Sequence, residues 1–166
     1  LVQSTAWVAG ASGLLLPDVA AARSEDFWYK DRVLEMRRAQ TGEFAQIRFY
    51  ESGRYMPEAY RQLCYIMRDV VDRNSVVSMD IGLFNVLYGI QEWARMAGIS
   101  NPVLTTSSGY RTPAHNANTE GAAKNSLHLS GQAADVKVRG LSPNQVGLMA
   151  AYYKVGGVGY YDSFTH

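Results

Sequence analysis

The chain has 166 residues, 47% of them hydrophobic and 19% charged, with a formal net charge of +1. That size and balance fit one domain with a buried core and exclude a disordered chain. Basic residues are scattered, with Arg37-Arg38 the one adjacent pair, which leaves no footprint for nucleic acid or an anionic membrane surface.

Leu1 to Leu16 carry no charge and are rich in Ala, Val, Leu and Gly; Pro17 and Asp18-Val19-Ala20-Ala21-Ala22-Arg23 follow. This pattern reads as the apolar part of a secretory signal ending in small residues suited to a signal peptidase. It is too short, and too rich in Gly and Ser, for a good membrane span. The competing reading is an apolar N-terminal helix packed on the domain. A first residue that is Leu, with no basic stretch before it, makes residues 1–23 the expected remnant of a signal, Trp7 included. Residues 24–166 are then the expected domain, exported to the periplasm or cell envelope, with no stable span in the mature protein.

Asp26 to Arg38 and Ala45 to Tyr50 alternate apolar and polar residues around a Gln40-Thr41-Gly42-Glu43 turn, which predicts a β-hairpin. Pro57 suits the first turn of a helix, and Ala59, Leu63, Ile66, Met67 and Val70 keep helical spacing to about Asp72. Cys64, the single cysteine, lies within this run; it excludes an internal disulfide and reads as a buried structural thiol. Asp80 is placed to cap a second helix that carries Leu83, Phe84, Leu87, Ile90 and Ala94 towards a stop at Gly98. Val103 to Thr106 and Ala133 to Val138 read as strands. Ser142-Pro143 opens a helix to about Tyr153, and Val155 to Tyr161 reads as a turn and a short strand. Trp28 and Trp93 are expected in the core or at its edge. The class is α+β, with helices packed on a mainly antiparallel sheet. The sequence ends on His166 just after a strand-like Asp162-Ser163-Phe164-Thr165, so a last strand is expected to be missing.

The chemistry concentrates in Ser126-Leu127-His128-Leu129-Ser130-Gly131-Gln132-Ala133-Ala134-Asp135. His128 and Asp135 are ligand types that zinc accepts, and His166 is a second imidazole about thirty residues on. Two imidazoles and a carboxylate would leave a fourth position for water, as a hydrolytic zinc requires. His128 is expected on a loop and Asp135 on the following strand, with Gly131 allowing the turn. Ser126 is placed to orient the imidazole or to close the loop. A lone His and Asp read equally as a polar loop followed by a strand with an ordinary carboxylate.

The pattern Ser-x-His-x-x-Gly-x-Ala-x-Asp resembles the signature of the zinc D-Ala-D-Ala carboxypeptidase family. Ser108-Gly109-Tyr110-Arg111 resembles that family's upstream Gly-Tyr-Arg element. Gly156-Gly157-Val158-Gly159-Tyr160-Tyr161 and Phe164-Thr165-His166 resemble its closing segment. Asp80 to Phe84 and Ala123-Lys124-Asn125-Ser126 bring the likeness nearest to the exported murein endopeptidase K group, over about Glu43 to His166.

The resemblance implies a fold of the D-Ala-D-Ala carboxypeptidase/hedgehog-like type and one Zn2+ ion on His128, Asp135 and His166. It implies that Arg111 faces the substrate. There Arg111 would grip a carboxylate with two prongs or stabilise the oxyanion, and a surface ion pair is the plainer alternative. Tyr110 and Ser126 are the further candidates for substrate binding, although tyrosines on short strands are more often half-buried sheet residues. His115 is expected either at the cleft or on an exposed loop, and Asn116 in a structural role. The implied activity is hydrolysis of amide bonds in peptidoglycan peptide stems or cross-links. The alternatives are a D-Ala-D-Ala carboxypeptidase and a metal-containing module that binds peptidoglycan without cutting it. The related group carries an aspartate two positions past the equivalent of His166, beyond the last residue here. Asp162 is the nearest carboxylate in sequence to stand for a general base.

Overall fold

The computed structural model describes residues 28–166; the expected signal segment and Trp7 lie outside them. Strands β1 (Arg32–Arg38) and β2 (Phe44–Glu51) form the predicted antiparallel hairpin, with Gly42 in the left-handed region at φ 72°. Strand β3 (Arg54–Tyr55) extends its outer edge. On the inner edge β1 pairs in parallel with β4 (Leu104–Ser108), which pairs antiparallel with β5 (Asp135–Val138). The sheet order is β3-β2-β1-β4-β5, with β1–β4 the one parallel pairing, so the sheet is mainly antiparallel.

Helix α1 (Pro57–Ile66) leans on β2, while α2 (Ile81–Met96) and α4 (Pro143–Tyr152) pack on one another against the sheet. A short α3 (Pro113–Ala117) follows β4. Asp80 caps α2 by accepting from the Gly82 amide at 2.6 Å, and Ser142 with Gln145 forms a capping box on α4. The alternation of β1 buries Leu34 and Met36 against Phe49, Leu63, Phe84, Leu104 and Met149, all under 2% exposed. Each such side chain contributes about 1.5–3 kcal/mol by leaving water. Trp93 is in the core, and Trp28 sits at its edge with its ring edge-on to Tyr153. Among the described residues, no helix is long and apolar enough to cross a membrane.

Three expected elements differ. Of the expected first strand, Asp26 and Phe27 lie outside the described residues, and β1 begins at Arg32. Trp28 and Tyr29 lie in a helical turn whose carbonyl at Trp28 accepts from the Arg32 guanidinium at 2.5 Å. Helix α1 ends at Ile66, six residues early. The buried carboxylate of Asp69 accepts from the amides of Val71 and Asp72, a local pairing that competes with helical hydrogen bonds. Arg73 and Asn74 then take φ of 57° and 56°, which no helix continues through. The strand expected near Tyr160 reduces to one bridge, Tyr160 to Thr165.

Candidate metal centre

Backbone pairing places two of the three candidate ligands side by side. Asp135 opens β5 opposite Ser108, next to an irregularity in β4 that lies between Thr106 and Ser108. The chain then returns so that Thr165 and Val136 exchange both backbone hydrogen bonds, at 2.8 and 2.9 Å. One residue further, His166 falls beside Asp135. It is held from the other side by a reciprocal pair of 2.9 Å bonds with Gly159. A Cβ on Gly159 would lie 3.0 Å from the Tyr161 ring and 3.2 Å from the Cβ of His166, so a side chain there would have to push one of them aside.

The third candidate arrives on a 3-10 helix, Leu127–Ser130, where a loop was expected. Ser126 caps this helix by accepting from the amide of His128 at 3.4 Å. Gly131 ends it at φ 70°, where a Cβ would meet the Ser78 carbonyl at 3.0 Å. Of the two roles open to Ser126, this contact is the one that closes the turn.

His128 is fully buried, and its Nδ1 lies 2.5 Å from the carbonyl oxygen of Gly109. A carbonyl can only accept, so Nδ1 carries a proton and the neutral form of the ring has its lone pair on Nε2. That Nε2 stands 3.3 Å from His166 Nδ1 and 3.4 Å from Asp135 Oδ2. His166 Nδ1 is 2.7 Å from Asp135 Oδ1. One ligand atom from each of the three residues lies within 4.8 Å of the others. Ligands at about 2.0 Å in tetrahedral array are separated by roughly 3.3 Å, close to the two longer distances here. Burial works to raise the Asp135 pKa, but its contacts with the imidazoles of His128 and His166 outweigh it and hold the carboxyl at about 2. The group is therefore an anion available to a cation. An imidazole oriented by a backbone carbonyl, a second imidazole and an ionised carboxylate suit a divalent metal ion.

Arg111 follows β4 on the other side of Asp135. Its amide donates to the His128 carbonyl at 3.2 Å, which ties the Gly109-Tyr110-Arg111 run to the 3-10 helix. The guanidinium Nη2 is 3.9 Å from Asp135 Oδ2, Nη1 is 3.4 Å from Asn116 Oδ1, and the buried Nε has no partner. This is an arginine held in place with donors to spare. Asn116 also donates to the Ala123 carbonyl at 3.0 Å, bracing the following loop. Tyr110 packs half buried against the core.

A family model described as peptidoglycan L,D-endopeptidase MepK matches residues 28–166. The chain belongs to that family. Its relatives include the peptidoglycan L,D-endopeptidase MepK of Escherichia coli K12, 34% identical over 143 residues, covering 82% of this chain and 76% of the relative. The probable peptidoglycan L,D-endopeptidase MepK of Haemophilus influenzae is 35% identical over 143 residues, 82% of this chain and 75% of the relative. No solved structure matches.

Two further residues take unforeseen places in this member of the family. His115 points neither to the centre nor free into solvent: its Nδ1 lies 2.9 Å from both carboxylate oxygens of Asp69. Asp69 also accepts from the Thr112 amide at 2.8 Å, so one buried carboxylate fastens the turn after α1 to the start of α3. Burial raises the Asp69 pKa, but the hydrogen bonds from Thr112, His115, Asp72 and Val71 prevail and lower it. The sequence carried no signal for this pairing, because its partners are far apart along the chain. Asp162 is exposed and makes none of the hydrogen bonds that build the centre.

Proposed function

We propose that this chain is a zinc-dependent peptidoglycan endopeptidase, acting outside the cytoplasmic membrane on the peptide part of the bacterial cell wall. The observation that carries the reading is the convergence of His128, Asp135 and His166 beside an underused arginine, in a chain of this family. The names of the relatives favour a bond between an L- and a D-residue over removal of a terminal D-alanine.

Zinc held by these three side chains would polarise the scissile carbonyl and lower the pKa of a bound water towards about 7. The protein supplies the rest. The Gly109 carbonyl, by accepting from Nδ1, orients the His128 ring with Nε2 aimed inward. Asp135 stays ionised between the two imidazoles. The guanidinium of Arg111, whose Nη2 lies 3.9 Å from Asp135 Oδ2, would donate to a substrate carboxylate or to the oxygen that gains charge during attack.

The test is digestion of purified peptidoglycan with the zinc-loaded protein, its chelated form and its His128→Ala variant, with products resolved by mass. New amino and carboxyl termini within cross-links, lost on chelation and restored by zinc, are expected. Release of D-alanine alone would replace the reading with a carboxypeptidase. Retention on the wall with no cleavage would replace it with a binding module.

A further inference from the structure

The side chain of Arg111 is 12% exposed, and among the described residues its guanidinium makes one hydrogen bond, from Nη1 to Asn116 Oδ1 at 3.4 Å. Asp135 Oδ2, 3.9 Å from Nη2, lies beyond hydrogen-bond reach, and the buried Nε has no partner. A guanidinium carries its N–H donors in a rigid planar fork. The direction of that fork therefore rests on a single amide oxygen.

Asn116 is itself fixed. It is buried, and its Nδ2 donates to the Ala123 carbonyl at 3.0 Å. A carbonyl only accepts and a guanidinium only donates, so the amide fits one way round, nitrogen towards Ala123 and oxygen towards Arg111. Its backbone is held as firmly. A helix as short as α3 is not stable by itself, and two carboxylates pin its start. Asp69 accepts from the Thr112 amide at 2.8 Å. Thr112 Oγ1 donates to Asp72 Oδ2 at 2.7 Å and accepts from the His115 amide at 3.1 Å. The Asn116 amide closes the turn on the Thr112 carbonyl at 2.9 Å. On its other side, Ala123 leads to Ser126, the cap of the 3-10 helix that carries His128. One side chain thus joins the arginine to the segment that delivers a metal ligand.

Resting on the endopeptidase reading, we propose that Asn116 is a positioning residue whose amide oxygen sets the direction of the Arg111 guanidinium and leaves its charge free for the substrate. A carboxylate at this place would accept the same hydrogen bond, but it would also form an ion pair and neutralise the cation. The amide orients without neutralising. The donors that remain are the ones that meet a substrate carboxylate or a developing oxyanion.

The test uses the zinc-loaded full chain with Asn116→Ala, Asn116→Asp, and Asn116→Ala combined with Arg111→Ala. NMR relaxation of the Arg111 Nε–H, assigned as the signal that Arg111→Ala removes, reads the positioning without any cleavage. Its order parameter is expected to fall from about 0.85 in the wild type to below about 0.6 in Asn116→Ala, and to stay near the wild-type value in Asn116→Asp. On soluble peptidoglycan peptides, Asn116→Ala should lower kcat/KM by about tenfold or more beside Arg111, and by less than about twofold when Arg111 is already alanine. A residue that only braces the Ala123 loop predicts the same loss in both backgrounds. Asn116→Asp should also lose about tenfold, with its arginine ordered but neutralised, and it carries the test if Asn116→Ala fails to fold. An unchanged Arg111 order parameter in Asn116→Ala, an equal loss in both backgrounds, or an Asn116→Asp variant as active as the wild type overturns the proposal. A wild type that cuts no peptidoglycan peptide, with the Nε–H released in Asn116→Ala, supports the positioning and overturns the endopeptidase reading alone.

Discussion

The ring of His128 is aimed by the backbone of Gly109: the carbonyl of one accepts from Nδ1 of the other at 2.5 Å. The same glycine lies against Met67, with no room for a side chain, since a Cβ there would collide with the Met67 carbonyl and stand 2.9 Å from its Cβ. Gly109→Ala should therefore cost about 1–3 kcal/mol from overpacking. It should also weaken zinc binding roughly 10–100-fold by moving the acceptor that orients the ring. Denaturant melts and zinc titration of the same variant check both numbers. An unchanged zinc affinity would show that the carbonyl does not set the ring.

Removing a ligand is expected to act more severely. Asp135→Asn keeps the shape and most hydrogen bonds but loses the anion. It should weaken zinc by more than about 100-fold, beyond what an outer partner is worth. Retention of stoichiometric zinc in this variant would show that Asp135 is no ligand.

Arg111 separates binding of metal from catalysis. Arg111→Ala should leave zinc content unchanged while kcat falls by roughly 10²–10³-fold, the range for loss of a donor to a developing oxyanion. Arg111→Lys keeps the charge but not the two-pronged geometry, and should recover less than half of that loss in log units. A structural ion pair predicts instead that both variants shift melting temperature and leave kcat alone.

Asp69 sets an acid limit on the fold. Its folded pKa is below the ordinary 3.8 of the unfolded chain, so its contribution is complete above that value and is lost as pH falls through the lower folded value. Asp69→Asn should destabilise the protein by about 2–3 kcal/mol at neutral pH, since charged hydrogen bonds to Thr112 and His115 go. The gap between variant and wild type should narrow as pH drops below 3.8. Urea melts from neutral to acidic pH follow it, and a gap independent of pH would contradict the role given to the charge.

Much of this fold was legible because it rests on local rules. Alternation marked β1 and β2, while Pro57, Asp80 and Ser142 marked helix starts through the backbone groups that each leaves or satisfies there. The misread ends share one cause. Arg32 folding back on Trp28 and Asp69 gathering amides after α1 are decided by side-chain hydrogen bonds that periodicity does not register. Helix α3 has five residues, too few for a period to appear.

The candidate ligands His128, Asp135 and His166 stand out in the chain as chemical types, because few residues bind a hard or borderline cation and this sequence places them among small, turn-forming neighbours. Their meeting point does not. It depends on Thr165 pairing with Val136 across the sheet and on the Gly109 carbonyl behind the buried ring. A backbone carbonyl has no letter in a sequence, and distant segments acquire a common surface only once the core they bury has brought them together.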